Sequence, residues 1–432
     1  GQDRAVPLSR RLSRPGGLLR HHDFRHLWLA DALSQFGTRI SFLALPLAAV
    51  SYLHASTLQV SVLNTAQTLA YLLLGLQAGA WCDRMRKRPV LVAADLGRAA
   101  LFAWVPAGAA LGVLTVWQLY VVVAAAGVLT VFFGVAHTAY LPAIVERGDL
   151  VGANTKLALN QSGAAIAAPA VGGLLVQWLT APVAIAVDAA SYLWSALWLR
   201  GIHADEPVPD RPARANLARE IGEGLKLVFG DPILRAMNGH TACLSLFQSA
   251  NTAIIMVFLV RVVGLSPGVI GLLSTLGLLG AILASLATGR VAARVGNARL
   301  LWLAGLLGGA GFLLNPLTYP GWRLVFEVAA TFCSSIMIIV LNIVETSYQQ
   351  SVTPKNLLGR VNATTNFLIW GVIPVGSLAG GVTATAIGVR PTLWLCGAGA
   401  LASAAWLVCS PLRRLRTLPT GVAHATAPAG HA

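Results

Sequence analysis

The chain alternates between long apolar stretches and short polar connections along most of its length. Each apolar stretch is close to the roughly 20 residues that an α-helix needs to cross a bilayer. We predict twelve spanning helices, near residues 27–53, 59–82, 89–113, 116–139, 155–179, 181–200, 233–262, 267–290, 298–319, 323–349, 361–388 and 390–411. The pattern therefore predicts an all-α integral membrane protein.

The longest polar interruption, at residues 201–232, divides the predicted helices into two sets of six. Its first part, residues 204–212, is rich in Pro and Asp, which is typical of a linker. Apolar residues then recur at helical spacing, namely Leu217, Ile221, Leu225 and Val228. This part predicts an amphipathic helix on the membrane surface. We expect five segments: a basic cytosolic tail at 1–26, a six-helix bundle at 27–200, a cytosolic linker at 201–232, a second six-helix bundle at 233–412 and a disordered tail at 413–432.

Two short motifs recur in both halves at a nearly constant offset. Gly79-x-x-x-Asp83-Arg84 corresponds to Gly289-x-x-x-Ala293-Arg294, and Asn154 with Gly172-Gly173 corresponds to Asn362 with Gly380-Gly381. Parallel repeats of six helices are a known transporter architecture, with the substrate site between the halves near mid-membrane. The sequence therefore predicts two pseudo-symmetric six-helix bundles.

Composition and charge placement orient these helices. The chain is 56% hydrophobic and 11% charged, whereas soluble domains carry about 25% charged residues. If the N-terminus is cytosolic, the net charge of +15 falls mainly on inner connections, and the outer connections carry only Arg261, Arg323 and Arg390. This is the positive-inside distribution, so the basic charge indicates orientation and contact with membrane lipids and not nucleic-acid binding. We expect a multi-pass protein of a bacterial inner membrane with both termini cytosolic.

Ionisable side chains inside the apolar helices are candidates for proton coupling, because charges within a bilayer are costly and usually functional. We propose Asp31, Arg39, Asp188 and Glu345. Arg39 and Asp188 lie at similar depths, about 18 Å from the inner ends of their helices, and would pair if those helices touch. A structural ion pair is the alternative for them, and a role as gate or cap is the alternative for Asp31 and Glu345.

Other ionisable groups in the helices are given structural roles. Asp95 and Arg98 are three residues apart and are expected to neutralise each other. Glu327, near the outer end of its helix, is expected to contact solvent. His137 and His240 are possible titrating groups for which we favour structural roles.

Polar residues scattered through the apolar helices are candidates for lining a substrate cavity. They are Asn64, Gln67, Gln161, Gln248, Asn251, Asn342 and Asn366, to which Phe367 and Trp370 add aromatic surface. An interhelical hydrogen bond is the alternative role for each of them. Together they predict a mostly apolar cavity suited to a lipophilic organic molecule.

The order and spacing of several short motifs resemble the major facilitator superfamily, in the branch of bacterial drug and siderophore exporters that includes the enterobactin exporter. The motifs are Ala44-Leu45-Pro46-Leu47, Gly79-x-x-x-Asp83-Arg84-x-x-Lys87-Arg88, Asp95-Leu96-Gly97-Arg98, Leu141-Pro142-Ala143-Ile144-Val145, Leu150-x-x-Ala153-Asn154, Pro169-x-x-Gly172-Gly173 and Gly359-Arg360-Val361-Asn362. The resemblance covers about residues 24–410.

The resemblance implies roles for two of these motifs. Gly79, Asp83, Arg84 and Arg88 would form a cytosolic gate, in which Asp83 latches the two halves together in the outward-open state. Pro169, Gly172 and Gly173 match a motif of helix 5 that marks antiporters, and ordinary helix packing is the alternative role for these residues. The sequence departs from the family in carrying Arg86 and Ala168 where glycine is usual, and residues 116–139 lack the arginine that drug exporters often place in helix 4.

These observations favour a secondary active transporter that exports hydrophobic or amphiphilic small molecules, such as drugs, antibiotics or siderophores, by proton antiport and alternating access. An importer or a lipid flippase of the same fold is the alternative within transport. A membrane enzyme is disfavoured because no HExxH motif or Cys/His cluster occurs, and a sensor is disfavoured because the loops are short. No GxxxxGK[ST] loop occurs either, so ATP is not the expected energy source. We expect no cofactor, metal or nucleic-acid partner, and a monomer whose partners are a lipophilic substrate, protons and lipids.

Overall fold

The computed structural model describes residues 17–82, 84–204, 206, 222, 225–226, 228–353 and 357–419. Within these ranges the chain forms twelve long helices and no strand. They are α1 (His22–Leu47), α2 (Thr57–Cys82), α3 (Lys87–Ala110), α4 (Val116–Ile144), α5 (Leu150–Trp178), α6 (Ala181–Arg200), α7 (Pro232–Val257), α8 (Pro267–Val295), α9 (Asn297–Phe312), α10 (Val325–Val352), α11 (Leu358–Ile387) and α12 (Val389–Ser403). The predicted all-α membrane fold is confirmed.

The lengths of the helices suit a bilayer. In the described part of the chain, eleven helices are long and apolar enough to span a membrane. The remaining helix, α2, has 26 residues and is therefore about 39 Å long, which exceeds a hydrocarbon core of about 30 Å.

Several helices extend beyond the predicted apolar stretches. α1 begins at His22, where the His21 side chain accepts a hydrogen bond from the Phe24 amide. α4 continues to Ile144, and α5 begins at Leu150. The helix therefore begins five residues before the predicted start of the first bundle at residue 27, and the cytosolic position of the tail stays a prediction. Hydropathy marks the apolar core of a spanning helix, whereas the hydrogen-bonded helix continues into the polar region beyond it.

The start of the first helix and the end of the last helix lie at the same face of the bundle, because an even number of crossings returns the chain to its starting side. We call this the terminal face and the other the opposite face. After α12 the chain folds back on the α8–α9 turn, where the Leu418 amide donates to Oδ1 of Asn297 over 2.8 Å and Leu418 is buried. A 3₁₀ turn, Pro411–Arg414, precedes this contact. The prediction of disorder is therefore wrong for residues 413–419, and residues 420–432 lie outside the described ranges.

The predicted amphipathic helix lies mostly outside the described residues. Leu217 and Ile221 belong to that part, so the surface helix stays a prediction. Val228, near its end, is fully buried.

Each half forms its own bundle, and the two halves meet along two helix pairs. In the first half α1 packs on α5 and α6, and in the second α7 packs on α11 and α12. Between the halves, α5 packs on α8 and α2 packs on α11.

The equivalent glycine pairs occupy equivalent places in the two halves. Gly172 packs against α1 and Gly380 against α7, which are the first helices of their own halves. Gly173 packs against α8 and Gly381 against α2, which are the second helices of the other half. The repeat predicted from sequence is therefore visible in the packing.

The first helix of each half also ends in the same way. A π-helical turn, Ala48–Tyr52, closes α1, and another, Phe258–Val262, closes α7. These turns are separated by 210 residues, as are Gly79 and Gly289. Both turns place the chain for the short connection to the next helix at the opposite face.

Candidate functional site

A proline in α5 opens a contact between the two halves. Pro169 lacks a backbone N–H and so weakens the helix at this point. One turn of α5 then bonds to a side chain of the other half: the Ala170 amide donates to the Thr275 hydroxyl over 3.1 Å, and that hydroxyl donates to the Ile166 carbonyl over 2.9 Å. The Thr275 hydroxyl thus bridges a donor and an acceptor that are four residues apart in α5.

Small residues let the same two helices approach closely. A Cβ atom on Gly173 would lie 3.0 Å from the Cα atom of Gly271 in α8. Nearer the opposite face, Gln177 Oε1 accepts hydrogen bonds from the Gly268 amide at 3.0 Å and the Ser266 hydroxyl at 3.2 Å. The contact between α5 and α8 therefore runs from mid-depth to the opposite face.

The second contact between the halves joins α2 to α11. The Thr65 hydroxyl donates to the Pro374 carbonyl over 3.4 Å. The rings of Tyr71 and Trp370 stack with their centroids 4.6 Å apart and their planes 15° from parallel. Trp370, a predicted cavity residue, therefore lies in the interface between the halves.

The three arginines predicted for outer connections all have partners at the opposite face. Arg261 of the second half donates to the Ala55 carbonyl of the first half over 2.6 Å. The guanidinium of Arg390 lies 3.9 Å from the ring centroid of Tyr319, and that of Arg323 lies 5.3 Å from it. Each of these cations thus has a local structural role on a face with few basic residues.

A cavity of about 290 Å³ lies between the halves, enclosed by α1, α2, α5, α7 and α8. Most of its lining is apolar, and Arg39 is its charged residue. Its polar uncharged residues are Asn64, Gln67, Thr252 and Ser274. A mostly apolar cavity with a few polar groups is the usual form of a small-molecule site.

The predicted cavity residues divide between this lining and other places. Asn64 and Gln67 line the cavity. Asn251 is buried and accepts a hydrogen bond from Asn315 over 3.1 Å, so it takes the alternative, interhelical role. The remaining candidates lie outside this lining: Gln161, Asn342, Asn366 and Phe367 are exposed, and Gln248 is half-buried.

Two polar lining residues were not predicted. Thr252 and Ser274 lie in α7 and α8. Ser274 also donates to the Ile270 carbonyl one turn earlier in its own helix, a bond that any helical serine can make. No sequence signal therefore distinguishes these residues from ordinary helix residues.

Asp31 is buried in the first half and joins three helices. Its carboxylate accepts hydrogen bonds from Gln35 at 3.2 Å and from Asn160 of α5 at 3.0 Å. His137 Nε2 of α4 lies 3.9 Å from the same carboxylate. Because α1 begins at His22, Asp31 lies nine residues, about 14 Å, along its helix.

A buried ion pair adjoins this group. Arg98 pairs with Asp95, as predicted, and the two side chains are 3% and 0% exposed. The Arg98 guanidinium lies between the rings of Phe133 and Tyr192, at 4.2 and 4.3 Å from their centroids. Phe133 in turn stacks on His137 with the centroids 5.7 Å apart. The first half thus holds a series of polar and aromatic groups from Asp95 to Asp31, in which His137 Nε2 lies beside the Asp31 carboxylate without a hydrogen bond. The sequence did not reveal this proximity.

Arg39 and Asp188 do not pair, although their helices touch. Asp188 lies against Gly37 of α1, where an added Cβ atom would be 2.6 Å from the carboxylate, and it accepts a hydrogen bond from Ser191 over 3.2 Å. Two residues along a helix correspond to a rotation of about 200°. Arg39 therefore faces the cavity, on the other side of α1 from Asp188. The conditional pairing predicted from equal depth is wrong because depth does not fix the direction in which a side chain points.

The two acidic residues of α10 have different surroundings. Glu345 accepts hydrogen bonds from the Thr241 hydroxyl of α7 at 3.1 and 3.3 Å, seven residues before the end of α10. Glu327 is only 7% exposed, and one of its oxygens has no hydrogen-bond partner among the described residues. The expectation that Glu327 contacts solvent is therefore wrong, although Val325 in the same turn is exposed.

The predicted gate is described only in part. Asp83 lies outside the described residues, so its role as a latch stays a prediction. Gly79 is half-buried in the last turns of α2, and Arg84 is exposed in the turn that follows. Arg88 donates from Nε to the Leu199 carbonyl at the end of α6 over 3.3 Å.

A residue of the linker caps the helix that follows this turn. The carboxylate of Glu206 accepts hydrogen bonds from the backbone amides of Lys87 and Arg88, the latter over 2.7 Å. An acidic group at a helix N-terminus satisfies free amides and interacts favourably with the helix dipole. The described part of the gate is therefore attached to its own half. Sequence spacing gave no sign of this contact, because Glu206 follows Lys87 by more than a hundred residues.

Known proteins resemble this chain over most of its length. A family model described as transmembrane secretion effector matches residues 15–427. The uncharacterized MFS-type transporter YfiS of Bacillus subtilis (strain 168) is 25% identical over 389 residues, which are 86% of this chain and 89% of that protein.

Solved transporter structures share the fold. The nucleoside transporter NupG is 12% identical with a TM-score of 0.73, covering 91% of this chain and 99% of that one. A bacterial homologue of the iron transporter ferroportin, in an inward-facing state, is 16% identical with a TM-score of 0.70, covering 91% and 98%. A bacterial homologue of the lysosomal transporter Spinster, in an inward-facing and occupied conformation, is 12% identical with a TM-score of 0.71, covering 93% and 98%.

Proposed function

The chain belongs to the transmembrane secretion effector family of major facilitator superfamily transporters, and on that premise we propose that it exports hydrophobic or amphiphilic small molecules in exchange for protons. The cavity between the halves is the proposed substrate site. Asp31, together with His137, is the proposed proton site. We propose that the terminal face is cytosolic, as the distribution of basic residues favours.

One observation carries this proposal: α1 contributes both to the cavity and to the buried carboxylate group. Arg39 lines the cavity, and Asp31 in the same helix bonds to Asn160 of α5. A proton on Asp31 would remove its negative charge and one acceptor site, which weakens its bonds to the neighbouring amides. Loss of those bonds would free α1 to move relative to α5. Proton binding and the shape of the cavity are thereby linked through one helix.

The packing of the halves supports alternating access. The bonds of Thr275, Gln177 and Arg261 join the halves between mid-depth and the opposite face. Towards the terminal face, Gln161 of α5 and Asn366 of α11 are exposed. We propose that these polar side chains line a vestibule through which substrate enters from the cytosol. In the other state the opposite-face bonds would break and the gate at the terminal face would close.

The test measures dye uptake into proteoliposomes with and without a proton gradient. It reports transport and the coupling of transport to protons separately. Vesicles with an acidic lumen would be compared with vesicles without a gradient, using a panel of lipophilic dyes. We expect the gradient to accelerate uptake by the wild type. The variant Asp31→Asn should lose this acceleration and retain exchange of labelled for unlabelled dye without a gradient, because exchange needs no net proton movement.

Matched variants distinguish Asp31 from the other carboxylates. Asp188→Asn and Glu345→Gln make the same chemical change at the other candidate positions, and His137→Gln tests the partner of Asp31. The proton-antiport proposal is wrong if Asp31→Asn, Asp188→Asn and Glu345→Gln all keep gradient-driven uptake. It is also wrong if uptake by the wild type does not respond to the gradient. Acceleration by a gradient that is acidic on the substrate side would favour an importer instead.

A further inference from the structure

We propose that the cavity binds organic anions, with the guanidinium of Arg39 holding the acidic group and the apolar walls holding the hydrophobic body. This inference rests on the proposed function and specifies the chemical class of its substrate. The lining has no Asp or Glu, and Arg39 is its charged residue.

Arg39 has no protein partner in the structure. In the described ranges, no carboxylate lies within 4.0 Å of it and no hydrogen bond from it is formed. Among the described residues, the buried carboxylates of the first half are engaged elsewhere: Asp31 with α4 and α5, Asp95 with Arg98, and Asp188 against Gly37 on the far side of α1. The guanidinium is therefore an uncompensated positive charge in a cavity near mid-membrane.

Neighbouring elements supply no charge that opposes it. α2 contains no Asp, Glu, Lys or Arg, and α5 and α8 contain no Asp or Glu. α7 contains Arg235 and the buried His240, which bond to Phe229 and Ser403. The π-helical turn after α7 contains Arg261, which bonds to Ala55. Apolar walls strengthen the field of a fixed charge, because little water is present to screen it. The cavity should therefore attract anions and repel cations.

The remaining lining suits the body of an amphiphile. Phe42, Leu63, Met256 and Leu278 give apolar surface, and Met side chains adapt to varied shapes. Asn64 and Gln67 supply neutral hydrogen-bonding groups. An arginine binds planar or tetrahedral acids through several N–H groups at once, so carboxylates, sulfonates and phosphate esters with one hydrophobic body all fit this chemistry.

The test uses two probes with the same ring system and different charge. 1-Anilinonaphthalene-8-sulfonate is an anion, and N-phenyl-1-naphthylamine is its neutral counterpart without the sulfonate; ethidium serves as a cation. Binding to the purified protein in detergent is measured by the shift in unfolding temperature at increasing probe concentration. We expect the wild type to prefer the sulfonate, and Arg39→Gln to weaken sulfonate binding by roughly 10- to 150-fold while leaving the neutral probe unchanged.

Two control variants make the outcome specific. Arg39→Lys keeps the charge and should keep most of the preference for the sulfonate. Asn64→Leu removes a neutral polar group from the same cavity and should affect the two naphthyl probes alike. Because Arg39 has no partner to lose, Arg39→Gln should unfold without probe at the wild-type temperature or above it.

Three results would overturn the proposal: equal affinity of the wild type for the two naphthyl probes, tighter binding of ethidium, or a sulfonate preference that survives Arg39→Gln. Binding in detergent requires no proton gradient. A protein that prefers the anion and ignores the gradient would refute only antiport, and one that is gradient-driven without preferring the anion would refute only this inference.

Discussion

Replacing Thr275 by valine should shift the protein towards the state that is open at the opposite face. The substitution exchanges a hydroxyl for a methyl group of similar size and removes both bonds between Thr275 and α5, measured at 3.1 and 2.9 Å. Interhelical hydrogen bonds in membranes contribute about 0.6 kcal/mol on average and up to about 1.7. Losing two of them should cost the closed state roughly 1–3 kcal/mol, which changes the ratio of closed to open molecules by about 5- to 150-fold.

The assay is a distance measurement across the opposite face. Trp117 at the start of α4 and Trp322 before α10 are highly exposed there, one on each half. Spin labels at these positions would be introduced after replacing the five native cysteines with alanine. Thr275→Val should increase the population at the longer distance, and Thr275→Ser, which keeps a hydroxyl, should resemble the wild type. Identical distance distributions for Thr275→Val and the wild type would refute the reasoning that this hydroxyl holds the halves together.

Two further predictions concern packing and buried charge. Gly173→Val should prevent closure at the opposite face and reduce transport, because the valine side chain would meet Gly271. The control Gly163→Val should transport normally, because a Cβ atom added there meets nothing within 4 Å. Dye uptake at equal expression checks this, and equal uptake by both variants would contradict it. Arg98→Met should destabilise the protein by roughly 3–5 kcal/mol, because it leaves Asp95 as an uncompensated buried charge, and the double variant with Asp95→Asn should recover part of this loss. Unfolding temperatures measure that recovery, and a double variant less stable than Arg98→Met would contradict the argument.

The fold was largely predictable because it depends on hydropathy along the chain. Twelve apolar stretches gave twelve helices, and the offset between Gly172-Gly173 and Gly380-Gly381 gave the repeat. Errors concentrated at helix ends, such as the start of α1 at His22, because hydropathy does not detect where hydrogen bonding of the backbone stops. The ordered contact of Leu418 with Asn297 was missed because it depends on a turn more than a hundred residues away.

The candidate site was predictable in residue type and much less in arrangement. Sequence identified Asp31, Arg39 and Asp188 as unusual, since any charge in an apolar helix is costly. It gave their depths and not their directions, so it proposed a pair of Arg39 with Asp188. The partners of Asp31, namely His137 and Asn160, lie on other helices, and only the packing of α1, α4 and α5 brings them together. Thr275 carries no signal at all in sequence, because its importance comes from a proline in the other half.

The exchange of substrate for protons is tested most directly by measuring proton movement that the substrate itself drives. Proteoliposomes with an acidic lumen and an enclosed pH-sensitive dye would receive 1-anilinonaphthalene-8-sulfonate outside. A sulfonate stays ionised, so it does not carry protons across the bilayer by itself. The account predicts that adding this anion makes the lumen of wild-type vesicles less acidic, and that vesicles with Asp31→Asn show no such change. A lumen pH that is unaffected while the wild type takes up the anion, or that falls as uptake proceeds, would contradict proton antiport.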